Sequence, residues 1–343
     1  MEDVALRATV SLATVDRVLH GRLGVRAATV QRVLKAAADL AYVTGKMDVD
    51  LHYESLAKPL RLKFLIPEGS NRYLQMLGDV IGYSQDHWAP FRVRCQAEYI
   101  ESFNPQALAH QLHIQGKKCD GIAFMALEHP LVREAVAGLA QAGIPTVTVI
   151  SDLSNSRRVA YVGLDNRAAG RTAAYLIARF MGAQAPARRT KVAMIAGSLS
   201  YRAHEEREAG FLHLFEEQYP LVQVVGLREG QDDPEKNYRQ ARALLEQHAD
   251  LGGIYNIGGA PEGIARALKE AGLTGKVVFI GHGLTPDTRA LLIDGTLDAV
   301  ITQNPQSAVM NCVRIFANLR DKREAHSGVE MVRSQVIFRE NLP

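Results

Sequence analysis

Between residues 4 and 40, apolar positions recur every three or four residues, the period of an amphipathic helix. Val4, Ala5 and Ala8 share one face of a first short helix, and Val15, Val18 and Leu19 one face of a second. Ser11 stands just before the second pattern, where a side-chain oxygen can cap free helical N–H groups. A third helix is predicted over 27–40, with Val30, Val33, Leu34, Ala37 and Leu40 on one face. Residues 43–60 break the pattern and carry Gly45 and Pro59, so they read as a linker. From Leu60 the pattern changes. Short apolar runs at 62–66, 91–99, 121–125, 146–150, 159–162, 191–196, 222–227, 253–256, 277–281 and 298–302 predict strands. Amphipathic stretches between them, among them 73–85, 105–115, 129–142, 167–181, 205–218, 260–271 and 305–319, predict helices. Such alternation gives an α/β class with parallel sheets covered on both faces, and about ten strands imply two sheets. Ligands of such sheets bind beyond the carboxyl ends of the strands.

The first two helices, meeting at a tight turn, have the layout of a helix-turn-helix, whose second helix lies in the DNA major groove. Charge supports that reading. Residues 1–46 carry seven Lys and Arg against four Asp and Glu, a surplus of three that equals the formal charge of all 343 residues. Composition is otherwise that of a globular protein, 47% hydrophobic and 22% charged. No apolar run reaches roughly 18 residues and no secretory signal opens the chain, so a cytoplasmic protein without membrane contact is expected. Cys95, Cys119 and Cys312 are far apart and in no metal-ligand spacing, as in a reducing compartment.

The polar residues that follow the strands are the candidates for chemistry. Asn71, Asp152, Asn166, Arg207, Asn256, His282 and Gln303 supply amides, carboxylate and guanidinium suited to paired hydroxyls, and Tyr73, Tyr201 and Tyr255 could cover the C–H face of a sugar. Enzyme signatures are weak. There is no GxxxxGK[ST] loop, Gly281-His282-Gly283 lacks a third glycine, and Ser198 to Tyr201 lacks a GxSxG elbow. His110 with His113, and His204 before Glu205-Glu206, fit solvated helix faces better than metal sites. No cofactor or metal is expected, and the chain is not expected to be an enzyme.

Several runs together resemble the LacI (lactose repressor) family of transcription regulators. They are Val4-Ala5, Ala8, Val10-Ser11, Ala13-Thr14-Val15, Arg17-Val18-Leu19 and Gly21, then Val33 and Tyr42 of the third helix. In the body they are Val162 to Asn166 with Gly170, Arg207 to Phe211, Asn256, and Gln303-Asn304-Pro305. The resemblance implies a helix-turn-helix headpiece at 1–46, a hinge at 47–59 and a type I periplasmic-binding-protein-like body at 60–343. One subdomain would take about 60–161 plus 305–324, the other about 162–304 plus 325–343. It implies base reading by Leu12 and Ala13, phosphate or base contacts by Ser11 and Thr14, and a groove-facing Arg17, with His20 at the end of the same helix. It implies a hinge leucine, Leu51 or Leu56, wedged in the minor groove. A cleft effector, a sugar, polyol or derivative, would be held by Asn71, Tyr73, Asp152, Asn166, Tyr201, Arg207, Asn256, His282 and Gln303. A homodimer, or a tetramer, would read a near-palindromic double-stranded operator.

Five features depart from the family pattern. Few residues precede the first helix, so either the true start lies upstream or the helix lacks its cap. Thr9 stands where the turn usually has glycine, and Asp16 where a residue normally faces phosphate. His282 replaces an Asp that often contacts sugar, which counts against a simple hexose or pentose. Asp48, Asp50 and Glu54 make a lengthened hinge acidic, which weakens its ordering on DNA. The expected function is that of a DNA-binding regulator, a repressor, controlled by a small polar effector. The alternatives are a sugar or solute-binding protein and, further off, a sugar-modifying enzyme using His204, Glu205 or His282.

Overall fold

The computed structural model describes residues 1–19, 25–40, 59–83, 91–182 and 190–343. His20, Tyr42, Leu51 and Leu56, and with them the hinge, lie outside the described residues. The chain divides into two compact units, Met1–Pro59 and Leu60–Pro343.

In the first unit the described residues form α1 (Glu2–Ala8), α2 (Leu12–Leu19) and α3 (Ala27–Asp39). Val4, Ala8, Val15, Val18, Val33 and Leu34 make a shared core, as the periodicity requires. Leu40 is instead 39% exposed, one residue beyond the end of α3 at Asp39. Met1 stands at the N-cap of α1 with no side-chain cap. The turn out of α1 places Thr9 at φ 51° and ψ 50°, where its N–H bonds Leu6 O and the Val10 N–H bonds Ala5 O. A β-branched residue in this left-handed region is strained by about 1–2 kcal/mol, which glycine avoids. Ser11 Oγ accepts from Thr14 N at 3.3 Å and pairs with Thr14 Oγ1 at 2.8 Å, opening α2 as an N-cap should.

The second unit holds two sheets. The first runs β2 (Val93–Ile100), β1 (Leu60–Pro67), β3 (Gly121–Phe124), β4 (Thr146–Val149), β5 (Ala160–Val162), all parallel. The second has the order β11 (Gln335–Ile337), β10 (Ala299–Thr302), β9 (Val278–His282), β8 (Leu251–Asn256), β6 (Thr190–Ala196), β7 (Val222–Glu229), parallel except for β11. All ten anticipated strands are present. β11 was not anticipated, because a three-residue antiparallel edge strand carries too short a pattern to read.

Helices α4 (Arg72–Tyr83), α5 (Pro105–Gly116) and α6 (Pro130–Gln141) cover the first sheet. Helices α7 (Asn166–Phe180), α8 (Arg202–Gln218), α9 (Pro234–Gln247), α10 (Pro261–Glu270) and α11 (Pro286–Ile293) belong with the second. α12 (Pro305–Arg320) leaves β10 but returns to the first core, burying Val309, Cys312, Val313 and Phe316 beside Leu62 and Phe64. Several helices open on a capping side chain followed by Pro, as at Asn104-Pro105, Asp233-Pro234, Thr285-Pro286 and Asn304-Pro305. The cap satisfies a free N–H, and Pro loses nothing at the first helical position. Cys95, Cys119 and Cys312 are buried free thiols, and no described helix is long and apolar enough to cross a membrane.

Helices α7 and α8 cross at glycines. A Cβ on Gly170 of α7 would overlap the Arg207 carbonyl oxygen, and one on Gly210 of α8 would overlap that of Arg167. The two backbones therefore touch, with a glycine from each side. Gly210→Ala is expected to destabilise the body by about 1–3 kcal/mol in urea unfolding, since both obstructing atoms are backbone. Thr9→Gly is expected to do the opposite in the headpiece, slowing amide exchange there by the equivalent of about 1 kcal/mol.

Candidate functional site

Between the two sheets, at the carboxyl ends of their strands, lies a cleft of about 720 Å³ counting the part open to solvent. The Tyr73 ring, Met125, Ile150 and Leu164 form its apolar lining. Ile150 holds φ 65° in a tight turn closed by Ser151 N to Val149 O at 2.7 Å, an unusual backbone for a β-branched residue. Arg207, His204, His282, Gln303, Glu262 and Asn71 provide polar groups.

Arg207 is the deepest of these. Its side chain is 6% exposed, Nε donates to Asn166 Oδ1 at 2.9 Å, and Nη1 donates to the Ile257 carbonyl at 2.8 Å. Burial pushes its pKa down from the ordinary value, yet an Arg stays charged in a protein. The close crossing of α7 and α8 carries both Asn166 and Arg207, so backbone contact sets this pair. Asn166 also donates to Tyr161 Oη at 3.0 Å, which fixes the orientation of its amide.

His282 ends β9, and its Nε2 lies 2.6 Å from the Tyr255 hydroxyl. Burial and the neighbouring Arg207 hold its pKa well below the usual histidine value. His204, in the first turn of α8, has Nδ1 2.9 Å from Ser198 O and is likewise lowered by burial, to about 4. The Gln303 side chain is 5% exposed and its Oε1 has no protein partner, while its backbone oxygen accepts from Tyr73 Oη at 3.2 Å. Glu262 Oε2 is also buried without a partner, and burial raises its pKa.

Asn71 links the two lobes. Its Oδ1 accepts from Tyr73 N and Leu74 N, capping α4, and its Nδ2 donates to Asp232 Oδ2 at 2.8 Å. Asp232 Oδ1 accepts from Gly259 N at 2.6 Å, and the Ser70 hydroxyl donates to Asp232 O at 2.5 Å. Arg72 and Asp287 add an ion pair at 3.5 Å, and Glu128 N donates to Ser200 O at 2.8 Å.

Of the nine anticipated effector residues, Asn71, Tyr73, Arg207, His282 and Gln303 line the cleft. The other four do not. Asp152 is taken up by an ion pair with Arg158 and by the Thr148 hydroxyl at 2.6 Å. Asn166 stands behind Arg207, and Asn256, 1% exposed, donates to Gly259 O. Tyr201 packs into the first core and lines a smaller neighbouring hollow with Asp232 and Lys236. Tyr255 lies behind His282, leaving Tyr73 as the aromatic face. His204, Glu262 and Asp232 were outside the anticipated set. The signal for Asp232 was its place after β7 in an Asp-Asp-Pro helix start, and Glu262 stands in the first turn of a helix that follows β8.

In the headpiece, Ser11, Leu12, Ala13 and Arg17 are exposed and Thr14 is half-buried, while Val15 and Val18 face the core. α2 thus turns one small, polar-flanked face outward.

The periplasmic binding protein domain model matches residues 102–324. The model for bacterial regulatory proteins of the lacI family matches residues 1–45. The chain belongs to the periplasmic binding protein domain family and carries a LacI-family DNA-binding domain at its start. Among its relatives, the D-allose-binding periplasmic protein of Escherichia coli is 28% identical over 200 residues, 56% of this chain and 63% of that one. The ribose operon repressor of Halalkalibacterium halodurans is 27% identical over 277 residues, 80% of this chain and 76% of that one. The chain spans about three-fifths of the length of the periplasmic relatives it matches. GanP, a glucose-galactose binding protein from Geobacillus stearothermophilus, superposes with a TM-score of 0.73 at 23% identity, covering 84% of this chain and 100% of that one.

The buried histidines have a consequence for this periplasmic-binding-protein body. Each is neutral when folded and takes up a proton when unfolded below about pH 6.5. The unfolded state then binds more protons, so stability is full above pH 6.5 and falls as pH drops towards the folded value, about 4 for His204. His204→Asn is expected to flatten this decline in urea midpoints measured at pH 7.5, 6 and 5. An unchanged slope would mean that His204 is not buried neutral.

Proposed function

We propose that this protein is a sequence-specific DNA-binding repressor whose operator affinity is set by a sugar, polyol or derivative held in the cleft around Arg207. The observation that carries the reading is one chain bearing both an outward-facing α2 with Ser11, Leu12, Ala13 and Arg17 and an interlobe cleft with unsatisfied polar groups. Asn71, Tyr73, Arg207, His282 and Gln303 contact the effector, with His204 and Glu262 added to the anticipated set. Asn166 positions Arg207.

The body acts as two subdomains, about 60–161 plus 305–324 and about 162–304 plus 325–343. The effector changes the angle between them, and it does so only through its different affinity for the two arrangements. A cytoplasmic homodimer presents two headpieces to the half-sites of a near-palindrome. The names of the ribose operon repressor and of the sugar-binding relatives support a carbohydrate-like effector.

A gel-shift series on randomised palindromic duplexes tests this. One sequence should be retained over bulk DNA, with affinity falling steeply as salt rises. Arg17→Ala should weaken the retained site by about 1–3 kcal/mol and relax preference at one position of each half-site. Absence of any sequence preference at moderate salt would sink the proposal.

A further inference from the structure

Among the described residues, one buried charge in the cleft has no carboxylate bonded to it. Arg207 is almost wholly buried and forms no ion pair with a carboxylate among the described residues. Asn166 and the Ile257 carbonyl are neutral acceptors, and they use two of its five N–H donors. A buried charge left this way is unfavourable until a counter-charge arrives. The acids nearby are otherwise engaged. Both Asp232 oxygens are occupied, by Asn71 and by Gly259 N, and that side chain does not line the cleft. Asp287 pairs with Arg72, and Asp232 acts on Arg207 through its charge without a bond to it.

His282 adds a donor beside Arg207. The Tyr255 side chain is fully buried, and its hydroxyl meets only His282 Nε2, at 2.6 Å. Where the phenol donates to that nitrogen, the neutral ring carries its own proton on Nδ1. No described residue accepts that proton, and His282 lines the cleft. Arg207 and His282 thus give the cleft a cationic, donating pair. Glu262 Oε2, buried without a partner, is an acceptor in the same cleft.

We propose that the effector is an anionic polyhydroxy compound, whose carboxylate or phosphate oxygens sit against Arg207 and His282 while its hydroxyls reach Glu262 and Gln303. The inference rests on the effector reading above and names its chemical class. A bidentate oxyanion matches the guanidinium fork in geometry as well as charge.

Isothermal titration of the full-length protein tests it with matched sets: D-glucitol, D-gluconate and D-glucitol 6-phosphate, and the corresponding ribitol, ribonate and ribitol 5-phosphate. An acid or a phosphate ester should bind at least about tenfold more tightly than its neutral partner, a difference of about 1.4 kcal/mol. Which of the two binds identifies the source of the oxyanion. His282→Asp should remove that preference, and His282→Asn should reduce it while keeping the fold. Tighter binding of the neutral compounds overturns the anionic class while leaving the effector reading intact. An acid preference that survives His282→Asp overturns the placement of the oxyanion against His282. Binding of no member of either set overturns the effector reading itself.

Discussion

Burial of one guanidinium organises the second unit of this protein. Arg207 can stay charged in the interior only where its N–H groups find acceptors, and Asn166 and the Ile257 carbonyl provide two of them. Asn166 reaches it because α7 and α8 touch backbone to backbone, and they touch because Gly170 and Gly210 stand at the crossing. The chain of causes runs from two missing side chains, through helix approach, to an amide placed behind a charge. Asn166 is itself held by Tyr161 and the Leu164 carbonyl. The remaining donors of Arg207 are left for the cleft, so a packing constraint between two helices sets up a binding capacity.

Much of this was legible in the sequence, and the legible part has a common physical origin. Strands buried on both faces, such as β3, β4 and β10, read as unbroken apolar runs, while the edge strands β2 and β7 mix apolar and polar positions. Helix starts were announced by capping residues and Pro, as at Asn304-Pro305 and Thr285-Pro286. Thr9 was readable too, since a tight turn after α1 demands a positive φ whatever residue occupies it. What was not legible depends on tertiary partners. That α12 returns to the first core was expected only from the family resemblance, which put 305–324 with the first subdomain; periodicity says nothing of it.

The site divides in the same way. Position after a strand picked out Asn71, Arg207, His282 and Gln303, and the geometry of parallel sheets brings such positions together. Asp152 and Tyr201 occupy equivalent places in the sequence, but local partners consume them. Arg158 takes the carboxylate, and the first core takes the ring. A polar residue at a strand end is therefore a candidate only until its hydrogen bonds are counted. Asp232 shows the reverse case. It follows a strand, does not line the cleft, and still controls it by joining Asn71 to Gly259.

That junction bears on how a ligand in the cleft could be felt elsewhere. The lobes are bridged by Asn71 and Ser70 to Asp232, by Tyr73 to Gln303, by Glu128 to Ser200 and by Arg72 to Asp287. Each such contact is worth on the order of 1 kcal/mol net, so together they oppose opening by only a few kcal/mol. Converting a mostly open population into a mostly closed one takes a differential affinity of about 5.5 kcal/mol. The groups with spare capacity in the cleft are Arg207, His282, Gln303 and Glu262, and all four stand on segments of the second sheet, so their bonds anchor a ligand on that side. The Tyr73 ring, Met125 and Ile150 come from the first sheet's side. On the proposed mechanism a ligand reaches them only in the closed arrangement, and that differential contact is what a conformational signal requires.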